Sequence, residues 1–241
     1  MSLKTNLHFH TSEDRQHALA YTLREGIDRA AKLGFEVLAV TCHGSVVATD
    51  TDVSYAAEKG VLLISGIEAY IRCNSSDVER HVIVLNCRKD IEEVKTFSEL
   101  EKYRREHPEI FILAPHPYFY GNFSLHEHLE PHIRLFDAIE HSWFYSKFFN
   151  RNKKAREVAK KHNMPFIATS DTHFFDFFDE NYAVIEAEEK TPEAVFRAIK
   201  ENRFQNITHP RSALMMAWKF GIFSLVDAIR KKLRILLKYT K

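Results

Sequence analysis

Two histidines one residue apart, His8-Phe9-His10, close the first apolar stretch of the chain and are followed by Thr11. In an extended strand, residues i and i+2 point the same way, so both imidazoles face one side. A second such pair, Asp171-Thr172-His173, follows another strand-like run over 165–170. Imidazole with carboxylate is the ligand set of Zn, Fe or Mn, and is too nitrogen-rich for Mg or Ca alone. Two such pairs, far apart in sequence and both at strand ends, predict a metal centre gathered at one mouth of an α/β fold.

Short apolar stretches alternate with helical patterns along the chain. Residues 4–10, 35–41, 61–65, 81–85, 110–114, 135–139 and 165–170 read as strands, and 18–33, 49–59, 90–106, 147–163 and 192–202 as helices. That alternation predicts a parallel sheet or barrel. Further apolar runs end in groups that can bind a metal: Cys42-His43, Gly66-Ile67-Glu68, Pro115-His116 and Glu140-His141. In a parallel barrel the C-terminal strand ends form the active face. One histidine at a strand end is ordinary; six strand ends in succession with ligating groups are not.

The bulk numbers agree with an enzyme-sized α/β unit. The 241 residues, 45% of them hydrophobic, can bury one core. The 34 basic and 33 acidic residues balance, so no overall field favours nucleic acid. Seven glycines supply no GxGxxG or P-loop pattern. Cys42, Cys73 and Cys87 form no CxxC pair, which argues against a zinc ribbon. An odd cysteine count without a signal-peptide pattern points to a cytoplasmic location. No apolar run reaches the roughly 18 residues of a membrane-spanning helix.

The motifs resemble the PHP (polymerase and histidinol phosphatase) domain, a family of metal-dependent phosphoesterases. The resemblance covers residues 5 to about 205 and rests on His8-x-His10-Thr11, Thr41-x-His43, Gly66-Ile67-Glu68, Pro115-His116-Pro117 and Ser170-Asp171-x-His173. It implies a distorted (β/α)7 TIM-like barrel with two or three divalent metals (Zn, Mn or Fe) at the C-terminal mouth of the strands. The expected organisation is a hydrolase domain over 1–210 and a basic amphipathic helix or tail over 211–241. Carried across residue by residue, the resemblance implies that His8, His10, Glu68 and Asp171 hold one metal. Glu68 would bridge to a second metal held by His81 and His116, and a third would take His17, His43 and His173. Asp14 competes with His17 for its place, and His81 opens a strand rather than closing one. The family's usual Thr-Asp-His is Thr41-Cys42-His43 in this chain; Cys42 reads as an inert buried thiol, with a soft-metal thiolate as the alternative.

The implied activity is hydrolysis of a phosphate ester, a small phosphorylated metabolite or a nucleotide, by in-line attack of a hydroxide bridging the metals. Glu68, Asp171 and His173 would be the catalytic residues, Glu68 fixing the metal spacing and the other two orienting the attacked group. Arg15 is the nearest candidate cation for the phosphoryl charge, and His141 a residue lining the pocket. Three aromatic stretches, Tyr118 to Phe123, Trp143 to Phe149 and Phe174 to Phe178, follow histidine motifs. They narrow the pocket around a small substrate, stack on a base, or pack loops onto the barrel. Ile222, Leu225, Val226, Ile229, Leu233, Leu236 and Leu237 fall at helical spacing, with Arg230, Lys231, Arg234, Lys238 and Lys241 over most of the other face. Such a helix could lie on an anionic membrane surface, dock on a partner or pack on the barrel. Two other functions compete with the phosphoesterase. One is 3′–5′ exonuclease-like processing of nucleic-acid ends, which the even charge disfavours; the other is a metal-binding scaffold that has lost turnover.

Overall fold

The chain folds around one nine-stranded sheet in the computed structural model, which describes residues 1–73 and 78–239. The strands are β1 (Ser2–Phe9), β2 (Val37–Val40), β3 (Leu62–Arg72), β4 (Glu79–Leu85), β5 (Phe111–Ala114), β6 (Ala138–His141), β7 (Phe166–Ala168), β8 (Asn181–Glu186) and β9 (Phe204–Thr208). Their order across the sheet is β7-β6-β5-β4-β3-β2-β1-β8-β9. Helices α1 (Leu23–Lys32), α2 (Asp50–Glu58), α3 (Phe97–Glu106), α4 (Asn152–Lys161) and α5 (Pro192–Lys200) lie between strands, and α6 (Ala213–Tyr239) follows.

The sheet curls until its ends nearly meet. Asn206 of β9 accepts from the Ala168 amide (2.8 Å) and donates to the Phe166 carbonyl (2.7 Å), tying β9 to β7. At the mouth, the segment after β7 joins β1: the His10 amide donates to Thr172 O and the Thr172 amide to His8 O, both at 3.3 Å. The result is the expected α/β barrel-shaped sheet, with a strand count and strand directions that differ from seven parallel strands. β4 runs antiparallel to β3 and β5 because residues 73–78 are too few for a crossover, which takes a dozen or more. β8 and β9, absent from the sequence reading, run antiparallel in the seam beside β1. β9 is half-buried and polar (FQNIT), so it carries little of the apolar signal by which strands are recognised.

Side-chain parity sets what faces the interior. Leu3, Leu7, Val37, Ile83, Leu113 and Ala138 share the inner core, sealed by Phe196 of α5 stacked on Phe111 at 4.8 Å. Full burial of such side chains stabilises by roughly 1.5–3 kcal/mol each. Phe9, Leu38, Val40 and Cys42 belong instead to the outer core beneath α1 and α2. β1 changes parity between Leu7 and Phe9 because its register with β2 shifts between Asn6 and Phe9. An extra residue in a strand re-aims the side chains after it. That irregularity turns His8 and His10 inward.

The helix expected over 18–33 begins only at Leu23, behind a capping box of Thr22 and Glu25. Residues before it turn instead, because Asp14 Oδ1 accepts the amides of Gln16 (2.7 Å) and His17 (2.9 Å). The helix expected over 90–106 is broken before Thr96, whose capping box with Glu99 restarts it as α3.

α6 touches the body through Met216 and Asp227, both buried, and through Arg230, which donates to Ala18 O at 3.2 Å. Leu214, Trp218, Ile222, Leu225 and Ile229 face outward. Among the described residues no helix is long and apolar enough to cross a membrane. The side chains of 213, 219, 220, 223, 231 and 233–239, with residues 240–241, are outside the described set, and Lys231, Leu233, Arg234, Leu236, Leu237, Lys238 and Lys241 fall there.

Candidate metal centre

The mouth of the barrel gathers side chains that lie up to 165 positions apart. Glu68, 1% exposed, is at the middle. Its Oε2 lies 3.2 Å from His8 Nε2, 3.3 Å from His10 Nε2 and 3.0 Å from His43 Nε2. Its Oε1 lies 2.7 Å from His81 Nδ1 and 3.0 Å from His116 Nε2. One carboxylate therefore faces two sets of imidazoles, one set per oxygen. Asp171 Oδ1 stands 3.4 Å from the Nε2 atoms of both His8 and His10, and 3.2 Å from His173 Nδ1.

Each placement follows from local structure. Glu68 shares the inward parity of Gly66, where an added Cβ would stand 2.8 Å from Leu85 Cδ2 and 3.1 Å from two backbone oxygens. Glycine at 66 lets β2, β3 and β4 approach closely beneath the cluster. His81 is the third residue of β4, and because β4 is antiparallel its first residues arrive at the same mouth as the parallel strands' last ones. His116 and Asp171 have φ of 27° and 42°, left-handed values that non-glycine residues rarely adopt. Such backbone strain concentrates where a site over-determines it.

Behind the inner ring stand three carboxylates that the sequence reading did not assign. Asp14 Oδ2 accepts from His10 Nδ1 (2.9 Å), His43 Nδ1 (2.9 Å) and the His43 amide (2.8 Å). It sits behind the rings, so it is an orienting group and not the ligand weighed against His17. Glu140 Oε1 takes His8 Nδ1 at 2.8 Å and the Thr169 hydroxyl, and its Oε2 takes the His116 amide. Asp227 of α6 accepts from His17 Nδ1 (3.1 Å) and the Ala18 amide (2.7 Å). A carboxylate on one ring nitrogen fixes the tautomer and leaves the other nitrogen's lone pair for a cation. Glu140 had a signal in the sequence, since strand alternation allows only one of Glu140 and His141 to face in. Asp227, 210 positions from His17, had none.

The expected residues divide as follows. His8, His10, Glu68; His43, Glu68, His81; His8, His116, Asp171; and His10, His43, His173 form four overlapping groups, with candidate donor atoms within 4.8 Å of one another in each. His17 is outside these groups among the described residues. Its ring stands edge-on to His43 (5.3 Å) and His173 (5.0 Å) and lines the same cavity. Arg15 does not reach the cavity: it is 60% exposed, donates to Gly44 O and pairs with Glu92 at 2.8 Å. His141 does not reach it either. It occupies the outer face of β6, packed on Tyr145 (5.1 Å) and Phe166 (5.2 Å). Cys42 points into the outer core 3.2 Å from the Thr11 hydroxyl, and burial pushes its thiol up to about 11, away from the thiolate form.

The electrostatics favour bound cations. Burial works against charge on every group. At His8 the carboxylates of Asp171, Glu68 and Glu140 overcome it and raise the imidazole to about 10. His10, His43 and His116 are raised in the same manner. Burial also opposes ionisation of Glu68, Asp171 and Asp14, yet the neighbouring histidines hold all three below the usual carboxylate range. Protons on the imidazoles thus offset the carboxylates, and metal binding replaces such protons. Two contacts fit a cation better than a proton. His8 Nε2 and His10 Nε2 face each other at 3.0 Å, and two imidazole nitrogens so placed share at most one proton. His81 Nδ1 is buried within 2.7 Å of Glu68 but lacks the alignment of a hydrogen bond.

The sheet is barrel-shaped and α/β, and at its mouth imidazoles and carboxylates converge in groups that could hold metal ions. Comparison with known proteins then shows what the fold is similar to. Residues 149–204 match the model of the PHP-associated family, PHP_C. No curated protein matches the chain. Among solved structures, the chain is similar to a two-domain protein from Bacteroides vulgatus ATCC 8482 containing a predicted PHP-like metal-dependent phosphoesterase, at 18% identity and TM-score 0.64, over 87% of this chain and 65% of that one. It is also similar to the lesion-specific endonuclease PfuEndoQ from Pyrococcus furiosus (14%, TM-score 0.57, 83% of this chain, 56% of that one). An amidohydrolase from Chromobacterium violaceum is a third (14%, TM-score 0.54, 85% and 98%). The chain thus spans a little under two thirds of the Bacteroides protein and about half of the nuclease. The fold is the PHP-like barrel that the motifs led one to expect.

Proposed function

We propose that the protein is a metal-dependent phosphoesterase acting on a small phosphorylated substrate. The observation that carries this reading is Glu68, whose two oxygens each face a separate set of imidazoles on the floor of a cavity of about 180 Å³. His8, His10, Glu68 and Asp171, then Glu68, His43, His81 and His116, then His10, His43 and His173, with His17 beside them, would hold two or three divalent ions. Zn, Mn and Fe suit a set this rich in nitrogen. Such ions would supply hydroxide near neutral pH and offset phosphoryl charge.

The chain's own groups do the rest. Glu68 fixes the spacing of the two sets. Asp14 and Glu140 hold His10, His43 and His8 with Nε2 aimed inward. Asp171 and His173 border the cavity and orient the group under attack. A small cavity whose lining, among the described residues, has no lysine or arginine suits a compact ester better than a nucleic-acid strand, which is bound through many phosphate contacts.

Metal analysis of the purified chain, run beside a panel of monoesters, diesters, nucleotides and oligonucleotides, tests the proposal. At least two divalent ions per chain with turnover of a monoester are expected. Preference for oligonucleotides would transfer the reading to nucleic-acid processing, and metal-loaded protein inert on the whole panel would leave a binding scaffold.

A further inference from the structure

The walls of the cavity differ in kind from its floor. Three loops supply six aromatic residues: Phe119 and Phe123 after β5, Trp143 and Phe144 after β6, Phe174 and Phe177 after β7. They form a continuous surface. Phe119 meets Phe144 edge-on at 4.8 Å and Phe123 at 5.8 Å; Trp143 meets Phe144 at 5.3 Å and stacks on Phe177 at 4.8 Å; Phe174 meets Phe177 at 5.9 Å. Phe123 also stacks on His81 at 5.1 Å, so the wall reaches down to the floor. Apart from the ionisable groups of the floor, the remaining lining residues are Gln16 and Ser142. The nearby arginines are engaged elsewhere: Arg15 with Glu92, Arg211 with Glu180, and Arg151 over the Tyr120 ring.

From this wall we infer that the substrate carries a single phosphoryl group on an aromatic or otherwise apolar alcohol. The inference rests on the phosphoesterase reading and narrows it to a substrate class. A phosphoryl group on the floor would be served by the imidazoles there and by the cations they would hold. A second anionic group higher in the cavity would be desolvated with no cationic side chain among the described lining residues, which is costly. Above the floor, a polyhydroxylated sugar would meet Gln16, Ser142 and the Trp143 indole N–H as its few polar partners among the described residues, and each unpaired hydroxyl loses its water without replacement. An aromatic or alkyl group gains by burial against ring faces and edges.

The full chain, loaded with Zn or Mn, is titrated with phenylphosphonate, methylphosphonate and the phosphonate analogue of a sugar phosphate. Calorimetry and Trp143 emission report binding without turnover. Phenylphosphonate is expected to bind roughly tenfold or more tighter than methylphosphonate. Phe144→Ala, with Phe174→Leu as a second variant, should cut that preference to about threefold and leave methylphosphonate affinity unchanged. Equal affinities for the phenyl and methyl compounds, or tightest binding of the sugar analogue, would overturn the inference. Aromatic preference in binding with no phosphoester hydrolysed would sink the phosphoesterase reading and keep the apolar pocket; hydrolysis that favours sugar phosphates would do the reverse.

Discussion

The two faces of β6 treat histidine in opposite ways. Its inner face carries Glu140, which holds His8 in a nest of carboxylates where the imidazole rises to about 10. Its outer face carries His141, which burial and then the charge of Arg156 depress to about 4. The residue type is the same and the burial is similar. What differs is how many anions act on the ring: three carboxylates raise His8, whereas His81, with Glu68 beside it and two histidines opposing, is depressed by burial to about 4 like His141. A buried histidine is thus no sign of function by itself. The sign is a histidine whose second nitrogen is claimed by a carboxylate while the first faces other ligands.

The sharpest way to break the contrast is to remove inner-face ligands. Asp171→Ala or His10→Ala should lower hydrolysis by more than about 100-fold, beyond what loss of an outer partner costs, and should reduce metal per chain in elemental analysis. Retained metal and turnover in both variants would mean that the cluster is structural. Chelation should act on the same face. Removing the ions should lower Tm, and adding divalent metal should restore it in a concentration-dependent manner, as expected for ligands that bind only the folded chain.

Orienting carboxylates should show smaller effects. Asp14→Asn and Glu140→Gln should each cost about 10–100-fold in metal affinity or activity, read by competition with a chromogenic chelator. Asp227→Asn should fall at the low end of that range, since the histidine it contacts, His17, is outside the four donor groups, and the loss should appear in metal affinity before it appears in fold stability.

The outer face should give the smallest effect, and on stability alone. His141 is depressed in the folded chain, so the unfolded chain binds a proton there first as pH falls below about 6.5. Its stabilising contribution is present above that pH and is lost as pH falls toward 4, with a slope of at most ~1.4 kcal/mol per pH unit. His141→Gln should flatten the acid limb of denaturation midpoints between pH 6.5 and 4 while leaving turnover at neutral pH intact. An activity loss comparable to that of Asp171→Ala would return His141 to the site and erase the contrast.

Much of this was legible in the chain. The strand-end positions of His8, His10, His43, Glu68, His116, Asp171 and His173 follow from alternation and apolar runs, because a strand's periodicity is a local property. The capping boxes at Thr22 and Thr96 are equally local, yet the helical stripes over 18–33 and 90–106 overran them. The antiparallel entry of His81, the parity change in β1, the seam filled by β8 and β9, and the reach of Asp227 from α6 to His17 were settled by pairing between distant segments. The same holds for Arg15, drawn away to Glu92, and for His141, turned outward by one residue of register. Residue type and spacing decide which groups a strand end can offer. Which of them share a cavity depends on strand direction and register, and those are chosen by long-range contacts that no window of sequence contains.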